Sequence, residues 1–93
     1  MSITVKITHV RPSTDTAWFT QTEEFTNKVA EFQSTGHINS FSIDQSSSLK
    51  SVITIVYSSE ESKSTVESND VIDSFYQAMK IYHSSNAITE TRG

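Results

Sequence analysis

The sequence predicts one small α+β domain spanning residues 1–93, an antiparallel sheet and helices in the order β-α-β-β-α, with a short last strand. Three observations carry that expectation. Stretches 3–10, 37–44 and 49–58 have the alternation or apolar density of strands, and two further stretches place apolar residues at helical spacing. The apolar set is also strongly β-branched, with nine Ile and seven Val against one Leu, which suits a pleated surface.

In the first stretch, Ile3, Val5, Ile7 and His9 alternate with Thr4, Lys6, Thr8 and Val10, the period of a half-buried strand. Arg11-Pro12 ends it, because proline has no N–H for a ladder. After a polar loop, Thr20-x-x-Glu23 has the form of a capping box, and Phe25, Val29 and Phe32 follow on one helical face. A helix from about Thr20 to Thr35 is expected, stopped by Gly36, with Trp18 and Phe19 at or just before its first turn. His37–Asp44 is the second strand, with His37, Asn39, Phe41 and Ile43 sharing one face. A turn at Gln45–Ser48 leads to Leu49–Ser58, the strongest strand, with apolar residues on both faces. Capping boxes at Ser58 and Ser64 compete for the next helix start, and Val71, Ile72, Phe75, Ala78, Met79 and Tyr82 mark its body. Ala87–Arg92 completes the order as a short strand.

The core must be thin, since Leu, Ile, Val and Phe number 22 of 93 residues and a chain this short buries only about 60–65% of its unfolded surface. There is no cysteine, so disulfides, thiolate catalysis and cysteine metal sites are excluded, and self-association becomes the expected supplement. A net charge of −4, from 7 basic and 11 acidic residues, offers no footprint for nucleic acid or an anionic membrane. No run of 18 apolar residues and no signal-peptide pattern occurs, so a soluble cytoplasmic protein is expected. Nucleotide-binding, zinc-protease, EF-hand and nucleophile-elbow motifs are all missing, and no cofactor is expected.

The element order, together with the segment from Arg11-Pro12 to Trp18-Phe19, resembles the dimeric α+β barrel group of ferredoxin-like proteins. That group includes cofactor-independent monooxygenases of antibiotic biosynthesis, in which two sheets pack face to face. More narrowly, the chain looks like dimeric ferredoxin-like proteins without assigned activity known from marine environmental and phage sequences. The likeness covers the whole chain but includes no catalytic motif. It implies helices on one face of the sheet and a homodimer formed through the other, where Val10, Ile38, Val52 and Val56 are expected among Thr and Ser.

A site follows from a sheet ordered 4-1-3-2 if its first and third strands are parallel. His9, Tyr57 and His37 then meet at one edge, with Trp18 and Phe19 nearby, Arg11 at the rim and Asn39 one step further in. Such a set fits a small apolar or aromatic ligand, and His9 is the candidate base by its titration range. The competing explanation is structural: aromatic rings close a small core, and His37 and His83 serve helix ends. No metal site is expected, because His9 and His37 should lie about 9.5 Å apart with no third ligand evident. The expected function is a non-catalytic, homodimeric small-ligand-binding or accessory module. The alternative is a cofactor-independent monooxygenase or isomerase on a small aromatic or polyketide-like substrate, with Trp18 and Phe19 as stacking surfaces. A third reading is a viral or phage accessory protein assembling through an open strand edge.

Overall fold

A computed structural model describes residues 2–45 and 47–92. Strand β1 (Ile3–Val10) turns Ile3, Val5, Ile7 and His9 inward, as its period-two pattern requires, with burial deepest at Ile7 and His9. Helix α1 (Glu23–Ser34) buries Phe25, Val29 and Phe32. It starts later than the Thr20 capping box predicts: Thr22 is extended at φ −81°, ψ 155°, and its hydroxyl accepts the Phe25 N–H at 3.1 Å. The preceding segment is held away from helix because the Tyr82 hydroxyl donates to the Ala17 carbonyl at 2.6 Å and Phe19 packs against Phe75 and Tyr82. Thr22→Ala is therefore expected to lower stability by about 1 kcal/mol, with Thr20→Ala costing less than about 0.5, a contrast that urea titration resolves.

At the other end of α1, Gly36 adopts φ 85° and the N–H groups of Gly36 and His37 donate to the carbonyls of Gln33 and Phe32, a Schellman closure. Nothing crowds Gly36, so it is the backbone angle that calls for glycine there. Strand β2 (Ile38–Asp44) has a register irregularity between Ile38 and Ser40. That extra step turns Asn39 to solvent and lets both Ile38 and Phe41 reach the core, so Ile38 leaves the open face where alternation had put it. The expected turn at Gln45–Ser48 includes Ser46, which lies outside the described residues. Strand β3 (Lys50–Tyr57) buries Ser51, Ile53, Ile55 and Tyr57 and leaves Val52, Thr54 and Val56 half-buried on its other side.

The helical region after β3 is two helices, and neither expected capping box starts one. Ser59 caps α2 (Glu60–Glu67), while Asn69 accepts N–H bonds from both Val71 and Ile72 and opens α3 (Asp70–Ser85). Ser58 is occupied otherwise, its hydroxyl donating to Ser62 Oγ at 2.8 Å. Strand β4 (Thr89–Arg92) follows Ala87, at φ 56°.

The sheet runs β2-β3-β1-β4, and every neighbouring pair is antiparallel. The expectation that β1 and β3 are parallel is corrected here. A hairpin joins β2 to β3, so β3 opposes β2, and it opposes β1 on its other side; the strands that share a direction are β1 and β2. All three helices contribute to one cluster with Ile7, Ile38, Ile53, Ile55 and Tyr57, which puts them on one face and leaves the other uncovered. Among the described residues the arrangement is a small α+β fold with one four-stranded antiparallel sheet and three helices, consistent with the ferredoxin-like class in general. Among the described residues, no helix is long and apolar enough to cross a membrane.

Candidate functional site

Antiparallel pairing divides the predicted site residues between opposite ends of the sheet. His9 pairs with Ser51, whereas Tyr57, six residues further along β3, pairs with Ile3 on one side and Ile38 on the other. At strand rise this separates His9 from Tyr57 by about 20 Å. His37 stays at the Tyr57 end, where its Nδ1 is hydrogen-bonded to Ser62 Oγ at 3.0 Å and its ring meets Phe32 edge-on. Burial, followed by the neighbouring Tyr76 and Glu67, pushes the Tyr57 hydroxyl well above the usual tyrosine range and keeps it neutral. Asn39, on the irregular edge of β2, belongs to neither end's interior.

His9, Arg11, Trp18 and Phe19 do gather at the other end. Arg11 is committed to holding the loop: Nε donates to the Ser48 carbonyl and Nη1 to the Thr16 carbonyl, both at 2.8 Å, while the guanidinium lies 4.7 Å from the Trp18 ring centre. Trp18, Phe19 and His9 border a cavity of about 30 Å³ that reaches Ser51, Met79 and His83. That is room for one water, whereas organic ligands occupy roughly 300–1,000 Å³. A shallow groove of about 430 Å³ lies beside it on the outer side of Trp18 and Phe19, floored also by Ile43.

The chemistry at this end centres on residues that the alternation pattern does not connect. β4 runs against β1 with Glu90 opposite His9, and His9 Nε2 lies 3.1 Å from Glu90 Oε1. The last turn of α3 brings the His83 ring edge-on to His9, with centroids 4.5 Å apart. His9 and His83 are 3% and 5% exposed, and Glu90 is half-buried. Burial opposes the Glu90 charge, but the His9 hydrogen bond and Arg92, whose Nε is 3.5 Å from Oε2, outweigh it and hold the carboxyl below its usual range. Burial and then His9 push the His83 imidazole below its usual range, with Glu90 acting in the opposite sense. His83 Nδ1 is buried and has no hydrogen-bond partner among the described residues.

In the sequence His83 is accounted for as a helix-end residue and Glu90 carries no signal of a role. One signal was available: with β4 antiparallel to β1 on the sheet edge, a residue near position 90 must fall beside His9. No protein-family model matches the chain, and no curated protein matches it. What remains is a buried pair of imidazoles and one carboxylate, beside a water-sized cavity, at the mouth of a small core. It can share a proton along the His9–Glu90 line or present imidazole and carboxylate lone pairs to a cation.

Proposed function

We propose that this chain is a non-catalytic, cytoplasmic binding module of the dimeric α+β barrel type, whose two copies pair through the open faces of their sheets. The observation that supports it is the uncovered sheet face. Every helix packs on the opposite side, while Thr4, Thr8, Val52, Thr54 and Val56 form a β-branched surface whose charged residues are Lys6 and, opposite Val52, Asp44. The long Lys6 stem can lie over the valines with its ammonium at the margin. Three strands of seven or eight residues and one of four make a face on the order of 400 Å² in projection, about 800 Å² for two copies and below the roughly 1,200 Å² of standard stable interfaces, so the dimer is weak and concentration-dependent.

The groove outside Trp18 and Phe19 is the place for a small apolar or aromatic ligand in this reading, since the adjoining cavity has only about 30 Å³. The same volume favours binding over turnover of an aromatic substrate at His9. Native mass spectrometry at micromolar and higher concentrations is expected to give a species at twice 10.4 kDa. A monomer throughout that range overturns the proposal.

A further inference from the structure

We propose that His9, His83 and Glu90 form a binding site for one divalent transition-metal ion, zinc being the type that best suits the donors. One ring nitrogen from each histidine and one carboxylate oxygen lie mutually within 4.8 Å. Tetrahedral zinc with ligands at about 2.0–2.2 Å sets its donors about 3.4 Å apart. The His9–Glu90 contact of 3.1 Å is already close to that spacing, and with every donor pair within 4.8 Å the set needs to close by no more than about 1.4 Å.

Independent support comes from the polar atom the fold leaves unsatisfied. A buried polar group without a partner costs about 1–3 kcal/mol, and His83 Nδ1 is one, on a ring only 5% exposed in contact with His9. The site is also chemically matched to a cation. Two imidazoles and a carboxylate are borderline donors of the kind zinc, cobalt and nickel prefer. Glu90 turns Oε2 toward Arg92 and Oε1 toward His9 Nε2, so a metal ion would take the place of the proton between His9 and Oε1 while Arg92 stays on the outer oxygen. The neighbouring cavity of about 30 Å³ has room for a water molecule as a fourth ligand. Each donor is placed by a different element, β1, α3 and β4, so the ion would clip the short edge strand and the end of the last helix to the centre of the sheet. The site owes nothing to the dimer or to the Trp18 groove, and its test is separate from theirs.

The experiment is a titration of the tag-free, chelator-treated 93-residue chain with zinc by calorimetry and with cobalt by visible absorption. One equivalent per chain is expected, with the intense visible bands of tetrahedral cobalt and a melting temperature raised by roughly 10 °C at a hundredfold excess over Kd. Glu90→Gln, which keeps the side-chain shape on a partly exposed strand, and His83→Gln should each weaken binding at least about a hundredfold, more than outer groups usually cause. His37→Gln removes the remaining histidine, at the far end of the sheet, and should leave uptake unchanged. No uptake at millimolar metal overturns the proposal. So does uptake that Glu90→Gln and His83→Gln leave intact, or that His37→Gln abolishes.

Discussion

Replacing Phe25 with alanine is expected to leave the chain with little or no net stability at 25 °C. Phe25 is 2% exposed and lies at the centre of the aromatic cluster between α1, α3 and the sheet. Its ring stacks on Phe75 with centroids 3.8 Å apart and meets Phe41 and Tyr76 edge-on at 6.0 and 6.2 Å. Phe-to-Ala changes in packed cores cost about 3–5 kcal/mol, through lost transfer energy plus the cavity left behind. A domain of this length has about 5–14 kcal/mol in total, and a thin core puts this one toward the lower end. The loss is therefore comparable to the whole stability. Circular dichroism should show a melting temperature lowered by at least about 12 °C, or no folded baseline at all. A variant melting within a few degrees of the parent would mean that the ring cluster is not the centre of the core.

Val56→Lys is expected to convert the proposed sheet-to-sheet dimer to a monomer while leaving the monomer folded. Val56 is half-buried and points away from the helices, with Thr4 and Ser40 as its cross-strand neighbours. In a free monomer a lysine there can lay its stem along the sheet and keep its charge in water, at a cost within about 1 kcal/mol. In the proposed face-to-face dimer the same change buries an unpaired ammonium from each copy, and a desolvated charge costs several kcal/mol. The dimer dissociation constant should rise more than about a hundredfold, read by sedimentation at several concentrations. Val52→Lys should act in the same direction. An unchanged dimer places the interface elsewhere, and a variant that unfolds outright shows that this face is already packed within one chain.

Much of the fold was legible because burial parity is a local property. A strand exposes alternate residues and a helix every third or fourth, so Ile53, Ile55 and Tyr57, or Phe25, Val29 and Phe32, declare their faces whatever they pack against. The same holds for Phe75 and Met79 in α3 and for Gly36 at the end of α1. Helix starts were less legible. Several Ser, Thr and Asn side chains compete as caps, and Thr22, Ser59 and Asn69 prevailed through the way neighbouring segments are held.

Parity states which face a residue occupies, but not which end of the sheet it reaches. That depends on strand direction, which the connections set over long separations, and it parted His9 from Tyr57 and His37. The irregularity at Ile38 and Ser40, a single residue in length, likewise moved Ile38 into the core against its alternation. The contact between His9 and Glu90 joins residues 81 positions apart, and His83 arrives from a third element. Spacing within a segment fixes periodicity and burial, whereas a site assembled from β1, α3 and β4 exists only once the chain has closed, because no local pattern encodes a distance between elements.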